Sequence, residues 1–182
     1  LVAPPRITTL RDKWPLLEAC GVDRVLCLPF NERLRQLTAR QFVDQIFVDG
    51  LGAQYLAFGD DFHFGNQREG DLEYVRALAD EFGYAVAPTA TLEAAGERVS
   101  STRIRAALDA GDFDDAARLL GRPFELAGRV QHGQKLGRQL DAPTANIALH
   151  RIRSPLHGVY VVSVWGGGLE GAQGVANVGV RP

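Results

Sequence analysis

At 182 residues, with 46% apolar and 23% charged side chains, the chain can bury one good core or two small ones, a composition that argues against disorder. Its 20 Lys and Arg against 22 Asp and Glu leave a formal net charge of -2, so no overall field draws it to nucleic acid or anionic lipid, and any phosphate binding must be local. No apolar run approaches the roughly 20 residues of a bilayer span, and the start of the chain lacks the charged-then-apolar plan of a signal peptide.

Short apolar runs alternating with amphipathic stretches over the first hundred residues predict a parallel sheet covered by helices. Residues 12–20 read as a helix ending at Gly21, and 25–28 as a buried strand. Cys20 and Cys27 sit among apolar neighbours without His or Cys at ligand spacing, which predicts buried, reduced thiols of a cytoplasmic protein rather than a metal site. Thr38 followed three residues later by Gln41 is a capping box, and Phe42, Val43, Ile46 and Phe47 then recur at helical spacing. Residues 55–58 form the next predicted strand, running into the loop Gly59-Asp60-Asp61-Phe62-His63-Phe64-Gly65. Loops at this end of a strand are where open α/β sheets bind ligands. Leu72, Val75, Leu78, Ala79 and Phe82 share a face of a helix over 70–82, and 85–87 return as a strand. Two helices, 102–110 and 112–120, close at Gly111 and Gly121.

Beyond Pro123 the pattern changes to period two. Leu126, Gly128 and Val130 alternate with polar residues, 159–165 is rich in β-branched side chains, Gly166-Gly167-Gly168 marks a turn, and 175–180 alternates again. This predicts a β domain, a small barrel rather than a sandwich because its strands are short and glycine-rich. The expected division is 1–121 and 122–182. The chain carries no methionine, opens on Leu1 and ends at Arg181-Pro182 after a strand-like stretch, so it reads as an internal segment of something longer.

Three constellations carry chemistry. In Gly133-Gln134-Lys135-Leu136-Gly137-Arg138 the glycines let backbone amides approach phosphate while Lys135 and Arg138 neutralise it. Thr144 and Asn146, in Pro143-Thr144-Ala145-Asn146, are two apart and present hard oxygens on one face of a strand, which suits Mg²⁺. The same residues also describe a plain hairpin turn with edge side chains bonding their own backbone. Ser100, Ser101 and Thr102 open a helix with Arg105 one turn on, a pattern that serves a phosphate or a simple N-cap. In the 59–65 loop, Phe62 and Phe64 can stack on a planar ring while Asp61 accepts hydrogen bonds, or both rings can belong to the core. His63 is expected to be exposed, and His132, His150 and His157 lack ligand spacing.

In this order the motifs resemble the bifunctional riboflavin kinase/FAD synthetase family over nearly the whole chain. Pro5-Arg6-Ile7-Thr8-Thr9-Leu10 with Lys13, then Gly21-Val22-Asp23, is similar to the family's early adenylyltransferase segment. The 59–65 loop is similar to its G-x-[DN]-F-x-F-G loop, and 100–105 to its S-S-T-x-I-R element. Leu120-Gly121-Arg122-Pro123-Phe124 resembles the entry to the kinase domain, and 143–146 its P-T-A-N motif. Gly158-Val159-Tyr160 and Val175-Ala176-Asn177-Val178-Gly179 with Arg181-Pro182 extend the likeness. The resemblance implies a Rossmann-like nucleotidylyltransferase domain followed by a small Greek-key β-barrel, α/β plus β, making FMN from riboflavin and FAD from FMN with ATP and Mg²⁺.

The resemblance further implies that Asp61, Phe62, Ser100, Ser101, Thr102 and Arg105 contact ATP or flavin for adenylyl transfer. Gly133, Lys135, Gly137, Arg138, Thr144 and Asn146 would do so for the kinase step, with Thr144 and Asn146 near the metal. Asp141-Ala142 stand where the family carries a glycine and an aromatic residue, and the family's upstream H-x-G-H element and downstream glutamate base are absent from these residues. A nucleotidyltransferase for another small phosphate and a catalytically silent flavin-binding module are the alternatives; oligomeric state stays open.

Overall fold

The structure is a computed structural model that describes residues 3–59, 61–131, 144–149, 151 and 153–179. It comprises two compact units, one of residues 24–98 and one of residues 1–23 with 99–182. Helix α1 is Leu10–Ala19. It begins earlier than the apolar pattern suggests because Thr9 and Asp12 form a reciprocal capping box that satisfies two otherwise orphaned N–H groups.

The expected buried strand over 25–28 does not form. Among the described residues no strand pairs with it, so its backbone groups turn to water, and Leu26 and Leu28 are exposed. The expected burial of the cysteines fails with it. Cys27 lies in this unpaired stretch and Cys20 ends α1, a helix with no buried residue, so both thiols are free and exposed.

In the 24–98 unit, α2 is Glu32–Gln36, a short helix capped by Asn31 that the apolar pattern did not announce. The Thr38/Gln41 capping box forms as expected and opens α3, Ala39–Phe42, which widens into a π-helical stretch over Val43–Val48. Strand β1, Tyr55–Gly59, follows. The expected helix over 70–82 is two helices, α4 at Leu72–Ala77 and α5 at Ala79–Phe82, because Leu78 (φ -95°, ψ -4°) breaks the helical backbone between them. Strand β2, Ala85–Thr89, then pairs parallel with β1 in the register Tyr55 to Ala85 through Gly59 to Thr89. The intervening α4 and α5 make this a βαβ unit, the element expected of an α/β domain. A small hairpin of β3, Glu93–Ala94, and β4, Glu97–Arg98, ends the unit.

The core here is Ala39, Val43, Leu56, Phe64, Val75 and Tyr84. Phe64 sits among Phe42, Phe47 and Phe58, with ring centroids 5.3, 6.1 and 6.4 Å away. Tyr84 donates its hydroxyl to the Val75 carbonyl at 2.9 Å, and burial pushes its phenol above the ordinary value of 10.0. A raised folded-state value means that its stabilisation is intact below pH 10 and is lost as pH rises through the folded value. Tyr84→Phe is therefore expected to cost about 1 kcal/mol at neutral pH and to flatten this alkaline loss, as read by urea denaturation at several pH values.

In the other unit, α6 is Ser101–Ala110 and α7 is Phe113–Leu120. Gly111 and Gly121 terminate them in the left-handed conformation, φ 73° and 69°, as their sequence positions predict. Ile104, Ala107, Leu108, Ala116 and Leu119 are their buried residues. Two antiparallel pairs follow: β5, Arg129–Gln131, with β6, Asn146–Ala148, and β7, Gly158–Gly166, with β8, Leu169–Val178. The glycine turn at 166–168 joins β7 to β8 as expected. Among the described residues these sheets are two-stranded and do not close into a barrel.

Candidate functional site

The hydroxyl-rich start of α6 divides its labour. Ser100 is the N-cap, its oxygen accepting from the Arg103 amide at 3.3 Å. Ser101 is the first helical residue and faces a cavity of about 740 Å³. Arg105, one turn further, lines the same cavity and donates from Nε to the Pro5 carbonyl at 2.7 Å. Ser101 and Arg105, one turn apart on α6, both line this cavity, whereas Ser100 and Thr102 do not.

Arg6, Thr8, Lys13 and Arg122 complete the polar lining, and Ile7, Leu10 and Ile104 are among its apolar walls. No carboxylate lines the cavity among the described residues. Four cationic side chains, two hydroxyls and the positive end of a ten-residue helix thus face one volume, an arrangement that favours an anion with several charges. Sequence reading placed Arg6, Lys13 and Arg122 in motifs without giving them this role. Their convergence links positions more than 100 residues apart, for which local spacing carries no signal.

In the 24–98 unit, the two phenylalanines that the sequence left open take different places. Phe64 is core, whereas Phe62 is 38% exposed and stacks on Phe58 with centroids 4.9 Å apart and an interplanar angle of 14°. Asp61 is exposed and its carboxylate accepts from Arg98 Nη2 at 2.6 Å. His63 is exposed as expected, with Nδ1 3.0 Å from the Asp61 carbonyl.

Of the kinase constellation, Thr144 is exposed and Asn146 opens β6 opposite Gln131, half-buried. Gly133, Lys135, Gly137, Arg138, Asp141, Ala142 and Pro143, like His132 and His150, lie outside the described residues. Thr144 and Asn146 carry neutral hard oxygens, a donor type that fits Mg²⁺ when phosphate oxygens and water supply its other ligands. No cluster of three or more His, Cys, Asp or Glu side chains suited to a metal occurs among the described residues.

The FAD synthetase family model matches residues 2–103, and the riboflavin kinase model residues 120–182. A bifunctional riboflavin kinase/FMN adenylyltransferase of Pseudomonas fluorescens is 60% identical over 164 residues, covering 89% of this chain and 52% of that protein. Its counterpart in Escherichia coli strain K12 is 46% identical over 180 residues, covering 99% and 58%. The chain therefore spans little more than half the length of these relatives. A crystal structure described as a macrolide-efflux protein from Streptococcus pneumoniae superposes with a TM-score of 0.77 at 32% identity, covering 95% of this chain and 55% of that one. Among the described residues of this chain no helix is long and apolar enough to cross a membrane. The order of parts, FAD synthetase and then riboflavin kinase, agrees with the α/β-then-β order read from the sequence, and the chain belongs to the bifunctional riboflavin kinase/FMN adenylyltransferase family.

Proposed function

We propose that the full-length protein phosphorylates riboflavin to FMN and adenylylates FMN to FAD, using ATP in both steps. The observation that carries this reading is the cationic cavity at the start of α6, lined by no carboxylate among the described residues, whose Arg6, Thr8, Lys13 and Ser101 lie in the part matched by the FAD synthetase model. There Ser101, Arg105, Lys13, Arg6 and Arg122 hold the triphosphate of ATP while an oxygen of the FMN phosphate attacks the α-phosphorus and pyrophosphate leaves. Positioning and charge stabilisation are the main demands of such a transfer, and cations fixed in advance meet both. Ser100 keeps its capping role, Thr102 is exposed on the first turn of α6 beside Ser101, and Thr102, Asp61 and Phe62 are proposed to contact flavin or nucleotide.

The kinase step is assigned to Thr144 and Asn146 together with Gly133, Lys135, Gly137 and Arg138. Mg²⁺ held by Thr144 and Asn146 would neutralise charge on the ATP phosphates as the γ-phosphoryl group passes to the riboflavin 5′-hydroxyl. The proposed division is an adenylyltransferase part over 1–121 with a Rossmann-like sheet and a kinase part over 122–182 forming a Greek-key barrel. Support for the barrel comes from the β7–β8 hairpin, where Val159, Val161 and Val175 on one face are exposed, as expected of a face that a further layer covers. The free thiols of Cys20 and Cys27 suit the reducing cytoplasm.

Lys13→Ala tests the cavity assignment. The side chain is exposed on α1, a helix with no buried residue, so the fold should hold. The loss of one charge-assisted phosphate contact is expected to raise the KM for ATP in FAD formation by about 10-fold to 100-fold, with riboflavin phosphorylation unchanged. An unaltered KM would remove the cavity from the reaction.

A further inference from the structure

We infer that Arg151, in the part of the chain matched by the riboflavin kinase model, is a positioning residue for the cationic cavity of the adenylyltransferase part. The inference rests on the adenylyltransferase reading of that cavity. Its side chain is only 3% exposed, and its guanidinium has three partners on one short segment. Nη1 donates to the carbonyls of Arg6 at 2.9 Å and Ile7 at 2.8 Å, and Nη2 donates to Asp12 Oδ2 at 2.7 Å. Asp12 Oδ2 also accepts the Thr9 amide at 2.7 Å, the bond that closes the capping box of α1.

One buried planar cation therefore fixes both the loop that presents Arg6 and Thr8 and the first turn of the helix that presents Lys13. These side chains reach into the cavity from backbone that, among the described residues, is tied by the bonds of this cluster, by the Arg105 bond to Pro5 and by the buried Ile7 side chain. The spread of five donors across a flat group allows two carbonyls and a carboxylate to be gripped at once, which a lysine ammonium cannot reproduce from the same place. Among the described residues, Arg151 Nε and Asp12 Oδ1 are buried without a hydrogen-bond partner, so part of the cost of burying this pair is not offset by hydrogen bonds. A group held in this way sets geometry rather than stability alone.

The dependence crosses the two parts of the chain: a residue of the kinase part would set how tightly the other part holds ATP. A clamp serving stability alone would lower both reactions together with the folded fraction. A positioning residue would instead raise the KM for ATP in FAD formation and leave the kinase step alone.

The test uses the full-length protein with Arg151→Met, Arg151→Lys and Asp12→Asn, each checked for native circular dichroism and assayed separately for riboflavin phosphorylation and FMN adenylylation. The expected result is a rise of at least about 10-fold in the KM for ATP of adenylylation in Arg151→Met, with kcat changed far less and riboflavin phosphorylation at its original KM. Arg151→Lys keeps the stem and the charge and should fold even where the methionine variant does not; a smaller rise in the same KM is expected. Combining Arg151→Met with Asp12→Asn should be no worse than the more severe single change, because both break one cluster. A folded Arg151→Lys or Arg151→Met with an unaltered KM, or equal losses in both reactions, would overturn the inference while leaving the adenylyltransferase reading standing. An unaltered full-length protein that forms no FAD from FMN would overturn both.

Discussion

Replacing Thr144 by alanine is expected to cut conversion of riboflavin to FMN by at least about 100-fold, while FAD formation from supplied FMN stays within about twofold of the unaltered protein. Thr144 is exposed, so deleting its hydroxyl leaves no cavity and no stranded buried partner. Nor does it line the space at the start of α6, whose cations are assigned to adenylyl transfer. What the substitution removes is one of the two hard oxygens proposed to hold Mg²⁺, so charge on the transferring phosphoryl group would lose part of its stabilisation. Separation of the flavins by chromatography after incubation with riboflavin or with FMN reads the two steps independently. Equal loss of both would contradict the assignment of two sites.

Replacing Gly65 by alanine should strongly destabilise the 24–98 unit. Its backbone, φ 75° and ψ 174°, lies in a region that essentially only glycine occupies, and a Cβ there would stand 2.7 Å from the Ala39 amide nitrogen and 2.8 Å from its Cα. Neither neighbour can yield, since both are backbone at the first turn of α3. The same approach is stapled by the Ala39 amide donating to the Glu69 carboxylate at 2.7 Å and the Asn66 amide donating to the Leu37 carbonyl at 2.7 Å. Conformational strain of about 1–3 kcal/mol and overpacking of similar size add to roughly 2–6 kcal/mol, a large share of the stability of a small unit. Gly83→Ala supplies the control: φ is 72° there, but a Cβ meets nothing within 4 Å, so only about 1–2 kcal/mol is expected. Urea denaturation of the two variants should separate them clearly; equal midpoints would mean that the α3 contact is not what confines Gly65.

The parts of this fold that were legible in the sequence are those fixed within one turn of chain. Thr38 with Gln41, Gly111, Gly121 and the triple glycine at 166–168 act on neighbours three or four residues away, and each does in the structure what its spacing implies. The 25–28 stretch shows the opposite case. Val25, Leu26 and Leu28 have the composition of a buried strand, but a strand is defined by the neighbour that pairs with it, and composition does not supply one. Phe62 and Phe64 divide between rim and core for a similar reason. Gly70, far along the chain from the aromatic cluster's first members, forms the bridge that draws Phe64 inward and leaves Phe62 on Phe58.

The candidate site follows the same rule. Ser101 and Arg105 were readable as a pair because they lie on one helix, one turn apart. Arg6, Lys13 and Arg122 join them only through tertiary packing, and the anchoring of Arg6 and Lys13 by Arg151 depends on a contact spanning 139 residues. The charge of -2 gives no hint of this concentration, since it averages four converging cations with acidic residues elsewhere on the surface.

The most direct measurement is a crystal structure of the full-length protein soaked with a non-hydrolysable ATP analogue and Mg²⁺. A triphosphate lying against Ser101, Lys13 and Arg105 at hydrogen-bonding distance is the result expected. Nucleotide bound elsewhere, with this cavity still holding only solvent, would contradict the account.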